Sequence, residues 1–262
     1  MSATEAAQKH RVPVIDRMME VLDQLEGHET GATIRDLVDR LKVPRTTIYR
    51  ILNTLQLHDV VRRDDTGAYR LGRRLLTLAS HVGAGSSEAS LIAVAKPFLD
   101  SLAAVLGEGC KLSVIDRDGI LVLATAQGRR QYALSVTPGQ RSSPHAGAAG
   151  KLLLAHEPEA EIARRLAEPL VEYTTKTVTD PKRLVSELAR VRKQGWAQDK
   201  GESAPSIHAF AAPVFDKAGR MVGALSVPFL AGTETGRTDE IRLAVIAAAH
   251  DLSHAMQGYP PR

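Results

Sequence analysis

The chain has 262 residues, an apolar fraction of 44% and a net charge of +4, a size and composition that suggest about two domains with real cores. Its one cysteine, Cys110, excludes an intramolecular disulfide or a thiolate metal cluster and reads as a small buried residue, not a reactive thiol. No apolar run approaches the roughly 20 residues that span a bilayer, and no charged-then-apolar leader opens the sequence, so a cytoplasmic protein without a membrane partner is expected.

Residues 1–12 are polar and alanine-rich and are expected to lack structure. Val14, Ile15, Met18, Met19, Leu22 and Leu25 then recur at helical spacing up to Gly27. Thr33 is a suitable N-cap for a second helix carrying Ile34, Leu37, Val38 and Leu41, which Pro44 ends while starting a third. In that third helix Ile48, Ile51, Leu52 and Leu55 form the buried stripe, and Arg45, Thr46, Thr47, Arg50 and Asn53 fall on the other side. Those side chains bond phosphate oxygens and base edges, as the recognition helix of a helix-turn-helix requires.

Taken alone, the two helices fit an ordinary helical hairpin with a solvated face. The residues C-terminal to them favour the DNA-reading alternative. The stretch VVRRDDTGAYRLG predicts two short strands around an Asp-Asp-Thr-Gly turn, the wing of a winged helix-turn-helix, with Arg62, Arg63 and Arg70 beside the duplex backbone. Between Lys42 and Arg74 eight basic residues face three acidic ones, so this segment is +5 and the remainder −1. Local basicity around a reading helix is the electrostatic footprint of a nucleic-acid binder. A further helix, 72–82, leads to Gly83-Ala84-Gly85-Ser86-Ser87, read as a flexible boundary. The expected division is 1–71 for the DNA-binding domain, 72–86 for a linker helix and hinge, and 87–262 for a second domain.

In that second domain Ser87 caps a helix running toward Leu106, with Pro97 expected to kink or split it. Strands are then predicted at 111–116 and 120–126 around an Asp118-Gly119 turn, and a third at 131–136. Helices come next at 147–155, 158–167 and from Asp180-Pro181 to Gly195, then two long strands at 208–216 and 221–228, and a final helix at 239–256. Grouped strands and grouped helices, without βαβ alternation, give an α+β domain with an antiparallel sheet. Within it Ser142-Ser143-Pro144-His145-Ala146-Gly147-Ala148-Ala149-Gly150-Lys151 reads as a turn entering a helix, with side chains small enough to expose successive backbone N–H groups. Such a helix start can bind a carboxylate, or can simply be a tight packing point. His145 is expected to bond the loop backbone.

Four stretches together resemble the IclR family of bacterial transcription regulators: VPRTTIYRILNTL, YRLGRRLLTLA, SPHAGAAGKLLLA and AFAAPVFDKAGRMVGALSV. The likeness runs from about Val14 to Met256. It implies a winged helix-turn-helix, a linker helix and a C-terminal GAF-like effector-binding domain with an antiparallel sheet, assembling as homodimers or homotetramers on double-stranded operator DNA. It also implies a small carboxylic-acid effector docked at Ala148 and Ala149. Asp199, Ala209 and Ser226 then fall on other polar or close-contact positions, and Leu134 and Ile207 on the apolar wall. Ser206 stands where the family has glycine, and Pro228 replaces a small polar residue.

Because neither the turn before Lys151 nor the AFAAPVF strand carries an Arg or Lys, backbone donors alone are expected to anchor the acid. Small apolar neighbours at Ile207, Ala209 and Ala211 favour a flat aromatic acid from a catabolic substrate class. Asp199 and Ser226 would share a ring hydroxyl or amino proton. Two rival classes are weighed against this regulator. A hydrolase-like enzyme with an appended DNA-binding domain lacks a G-x-S-x-G elbow or a paired acidic motif beside a nucleophile. A metal-responsive regulator would need better than the scattered His145, His156 and His208. No catalytic residue, metal ligand or cofactor is therefore expected.

Overall fold

Thr33 begins the second helix by a reciprocal cap: the Asp36 N–H donates to Thr33 Oγ1 at 3.3 Å and the Thr33 N–H to Asp36 Oδ2 at 2.9 Å. The computed structural model describes residues 12–28, 30–83, 87–117, 119–135 and 137–258, divided between two compact units after Ser86. Residues 1–11, expected to lack structure, lie outside the described residues, as do residues 84–86 of the expected hinge, Asp118 of the expected turn and Val136.

The N-terminal unit contains α1 (Pro13–Glu26), α2 (Ile34–Leu41), α3 (Arg45–Leu57), a two-stranded antiparallel hairpin of β1 (Val61–Arg63) and β2 (Tyr69–Leu71), and α4 (Arg74–Gly83). Val21 and Leu25 of α1, Leu37 of α2 and Ile48, Ile51, Leu52 and Leu55 of α3 close one apolar core with Val61 and Tyr69 of the hairpin. Pro44 is the N-cap of α3 and not its first residue, and the chain reaches it through Lys42 in a left-handed conformation. Ala32 exchanges both backbone bonds with Tyr69, which ties the hairpin to the loop before α2. Gly31 must be glycine there: at φ +83° an added Cβ would lie 2.7 Å from the Tyr69 carbonyl oxygen.

The C-terminal unit is built on a six-stranded antiparallel sheet in the order β5-β4-β3-β8-β7-β6, from β3 (Cys110–Asp116), β4 (Gly119–Ala126), β5 (Arg141–Ser142), β6 (Ala197–Lys200), β7 (Ile207–Phe215) and β8 (Met221–Leu230). On one face α5 (Ser87–Leu106) and α9 (Thr235–Met256) pack Leu99, Leu102, Val245 and Leu252 against Leu112, Phe210, Val227 and Phe229. On the other lie α6 (Ala148–His156), α7 (Glu159–Leu166) and α8 (Pro181–Gln194), whose Leu152, Leu184 and Leu188 cover the small residues Ala197, Ala209, Ala211 and Ala224. On β7 and β8 the alternation therefore separates a face carrying Phe210, Val214, Leu225, Val227 and Phe229 from one carrying Ala209, Ala211 and Ala224.

Several expectations need correction. Residues 131–135 form a turn and coil, not a strand. The backbone there is drawn toward α5 by the Arg130 N–H on the Gly107 carbonyl, while residues 139–142 take the edge of β4 through Gly139 and Gln140 on Val122. Strand β6 has no counterpart among the predicted elements. Helix α5 runs through Pro97 unsplit, with the proline on its exposed side. Its stretch Glu88–Leu106 is also long and apolar enough by length and composition to cross a membrane, contrary to the reading that no such run exists. Leu91, Ala95, Leu99, Leu102 and Leu106 account for that apolarity by facing the sheet. Cys110 is buried as expected; its Sγ donates to the Leu99 carbonyl at 3.1 Å, and burial pushes the thiol up to about 12.

Candidate nucleic-acid interface and ligand site

On α3 the four buried side chains hold the helix, each contributing roughly 1.5–3 kcal/mol relative to exposure, and the opposite face is left without a structural task. Arg45, Thr46 and Arg50 are exposed, and Thr47 and Asn53 partly so. An apolar groove of about 360 Å³ runs beside them, lined by Val14, Ile15 and Met18 of α1 and by Ile51 and Leu55. On the same α1 the side chains of Val14, Ile15 and Met19 are about half exposed.

The wing is organised by Asp64. Its Oδ1 accepts from the Thr66 N–H, the Thr66 hydroxyl and the Ala68 N–H, and its Oδ2 from Arg70 Nε at 3.0 Å. These bonds, the Thr66 hydroxyl first, lower its carboxyl to about 2. The three wing arginines, expected as equivalent phosphate contacts, thus differ. Arg70 is committed to Asp64; Arg63 donates to the Gly67 carbonyl and lies 5.6 Å from the Tyr69 ring centroid. Arg62 is exposed and has no partner among the described residues.

In the C-terminal unit the turn 142–147 delivers the chain to α6. Ser142 is exposed on β5, whereas Ser143 Oγ and Tyr173 Oη share a hydrogen bond at 2.5 Å. His145 bonds the Val171 carbonyl through Nε2 at 2.8 Å and stacks on the Tyr173 ring, which is the loop-holding role read from the sequence. Gly147 caps α6 at φ +83°, where a Cβ would lie 2.9 Å from Ser203 Oγ. The following residues, Ala148, Ala149 and Gly150, are buried at the helix start, and their N–H groups meet no acceptor among the described residues. An unanswered row of donors in a buried position is uncommon in folded proteins.

The sheet face under α6 supplies the polar side chains. Asp199, buried on β6, accepts the Gly201 and Glu202 N–H groups on Oδ1 and the Ser203 hydroxyl on Oδ2. Ser226 on β8 pairs with Ala211 on β7 and with Lys111 on β3, so all three point to one face; its hydroxyl is buried without a partner among the described residues. Ala209 pairs with both Asp199 and Pro228. The structure therefore gathers Ala148, Ala149, Asp199, Ala209 and Ser226 around one place. Ile207 is partly buried at the start of β7, and Leu134 partly buried in the coil 133–135; neither belongs to the core beneath α6.

Behind the site Lys151 of α6, fully buried, is ion-paired with Glu187 of α8 at 2.7 Å and with Glu202. Burial raises the Glu202 carboxyl above its usual range, with Lys151 opposing the shift. The Thr177 hydroxyl donates to the Glu202 carbonyl at 2.7 Å and fixes the same loop. Lys111 has no place in the sequence reading of the site. Its alternation with Leu112 puts a cation on the α6 side of β3, so the site is not free of cations as the turn and the β7 strand alone suggested. A lysine inside an otherwise apolar alternating strand was the available signal.

Family models match both units: the IclR helix-turn-helix domain over residues 14–65, and the bacterial transcriptional regulator IclR C-terminal domain over residues 84–254. The chain belongs to the IclR family. It is 34% identical over 252 residues to the HTH-type transcriptional regulator BhcR of Paracoccus denitrificans, spanning 94% of this chain and 88% of that one. A crystal structure of an IclR homologue from Microbacterium hydrocarbonoxydans complexed with 4-hydroxybenzoate superposes with TM-score 0.77 at 25% identity, covering 93% of this chain and 98% of the other. The IclR regulator of Alicyclobacillus acidocaldarius superposes with TM-score 0.74 at 27% identity, covering 94% and 100%. The protein is accordingly an IclR-type DNA-binding transcription regulator, with a winged helix-turn-helix unit and a C-terminal effector domain built on an antiparallel sheet.

Proposed function

We propose that this regulator controls a catabolic operon in the cytoplasm in response to a small carboxylic acid, with an aromatic acid as the effector class. The observation that carries the acid reading is the row of unanswered N–H groups at Ala148, Ala149 and Gly150, beside the unpartnered Ser226 hydroxyl. A carboxylate answers such donors with charge-assisted hydrogen bonds, each worth about 1.5–3 kcal/mol. The aromatic assignment is supported by the 4-hydroxybenzoate bound to the Microbacterium homologue and by the small side chains of Ala209 and Ala211, against which a flat ring would lie. The Pca regulon regulatory protein of Pseudomonas putida, 28% identical over 246 residues, supports a catabolic setting.

In this reading Arg45, Thr46, Thr47 and Arg50 read the major groove, Arg62 contacts phosphate, and Arg63 and Arg70 shape the wing before they touch DNA. Two heads reading paired half-sites give the specificity that one lacks, so the working form is a homodimer or a homotetramer. The half-exposed Val14, Ile15 and Met19 of α1 and the exposed Leu76 and Leu78 of α4 are the faces assigned to assembly. Residues 1–71, 72–86 and 87–262 then serve as reader, linker and sensor. Acid binding acts on DNA only through different affinities for two arrangements of the heads.

The test is a thermal-shift screen of the full chain against aliphatic and aromatic carboxylic acids, with each hit titrated against operator binding. Hydroxybenzoates that raise the melting temperature and change operator affinity are the expected result. Two- or three-carbon oxoacids doing both while hydroxybenzoates do neither would remove the aromatic assignment.

A further inference from the structure

Lys111 has no task in the reading just given, and its surroundings are unusual. It is partly buried on β3, and no hydrogen-bond or ion-pair partner stands against its ammonium among the described residues. Register places it directly opposite Ser226, and Ser113 lies two residues along the same strand, opposite Ala224. Ala211 and Ala224 belong to the core beneath α6, so Lys111, Ser113 and Ser226 all point to the face on which α6 begins. The hydroxyls of Ser113 and Ser226 are both buried without a partner among the described residues. One ammonium and two hydroxyls thus form a polar strip beside Ala211 and Ala224.

Asp199 does not answer that strip. It is the acid whose charge Lys111 feels, but Oδ1 is bonded to the Gly201 and Glu202 N–H groups and Oδ2 to the Ser203 hydroxyl. Burial holds the Lys111 ammonium below the usual lysine range, and Asp199 offsets this only in part. A desolvated donor set of this kind is stabilised by an oxygen acceptor, above all an anionic one. A lysine can instead cover apolar surface with its stem and reach water with its charge, but that would leave the two buried hydroxyls unexplained.

We infer that Lys111 determines effector specificity: while a first carboxylate lies on the α6 N–H groups, Lys111, flanked by Ser113 and Ser226, receives a second oxygen acceptor of the same molecule. The effector is then a bifunctional acid, either a dicarboxylate or an acid bearing a phenolic or keto oxygen. This inference rests on the acid-sensing reading of the α6 start and narrows it.

Calorimetry on the full chain with two matched pairs, benzoate against 4-hydroxybenzoate and propionate against succinate, separates the two claims. In the parent protein the bifunctional member of at least one pair is expected to bind more tightly. Lys111→Met should weaken that member about 10- to 100-fold while leaving its partner unchanged, and Lys111→Arg should keep part of the preference. Thermal unfolding checks that each variant folds; if the methionine variant does not, Lys111→Gln removes the charge while keeping a donor and is read in the same way. Acids that bind with equal discrimination in parent and variant overturn the role of Lys111 alone. Failure of every acid to bind the parent overturns the acid-sensing reading and this inference with it.

Discussion

The two units use charge in opposite ways. On the reading head the cations that matter are exposed and, at Arg45, Arg50 and Arg62, without partners among the described residues, so they are available to a polyanion. In the effector domain Lys151, fully buried, is held by two carboxylates and supports the loop that carries Glu202 and bonds Asp199, while the donors at the α6 start are backbone groups. In the proposed reading, side chains recognise DNA in one unit, and backbone geometry held by buried side chains recognises the acid in the other. The comparison makes opposite demands on mutants. Changes on the head should alter binding and spare stability, and changes around α6 should couple the two.

The largest expected effect is on the buried network. Lys151→Ala leaves Glu202 without a cation and Glu187 with only the exposed Arg190 at 3.4 Å, and breaking a buried pair this way costs about 3–5 kcal/mol. Chemical denaturation followed on the C-terminal unit should show it; a loss below about 1 kcal/mol would mean that the network is solvated and does not brace the site.

Next comes the helix start. Ala148→Pro suits a first helical position sterically and removes one N–H. It should weaken carboxylate binding by about 1.5–3 kcal/mol in a folded protein. Unchanged acid affinity in that variant would move the carboxylate away from α6.

The reading head gives the contrasting pattern. Arg50→Ala should weaken operator binding by about 1–3 kcal/mol, and Arg62→Ala should weaken all duplexes alike while lowering the salt slope by about one. Both should leave the melting temperature almost unchanged. Equal operator affinity for Arg50→Ala and parent at matched salt would take α3 out of the groove.

The smallest effect is at the wing. The Asp64 carboxyl is lowered from 3.8 to about 2 in the folded state. Its contribution is therefore complete above the ordinary carboxylate value and fades as pH falls toward 2. Asp64→Asn should remove this acid-side dependence of wing order, followed by amide exchange at Thr66 and Ala68; an unchanged profile would show that the turn holds without the carboxylate.

The same contrast explains what could be read from the sequence. The head was legible because its function sits in side chains at helical spacing: the Thr33 cap, the Ile48, Ile51, Leu52 and Leu55 stripe and the Asp64 to Gly67 turn all stand where local chemistry puts them. The contacts of wing Arg63 and Arg70 with Tyr69 and Asp64 were not legible, because they are fixed by the hairpin's fold and not by spacing. In the effector domain the small-residue turn was visible, but β6 was not. Ala197-Gln198-Asp199-Lys200 has little strand propensity and is held by pairing with β7. The 131–136 stretch alternates like a strand, yet residues 139–142 already occupy the edge it would need. Lys111 stood out in its strand, but only the β3–β8 register brings it opposite Ser226.

The central claim is that a carboxylate is read by backbone donors at the start of α6, and amide NMR of the isotope-labelled full chain tests it most directly. On titration with 4-hydroxybenzoate or succinate, the amide protons of Ala148, Ala149 and Gly150 should move strongly downfield as they gain a charged acceptor, saturating together with the change in operator affinity. An acid that alters operator affinity while those three amides stay in place would contradict the account.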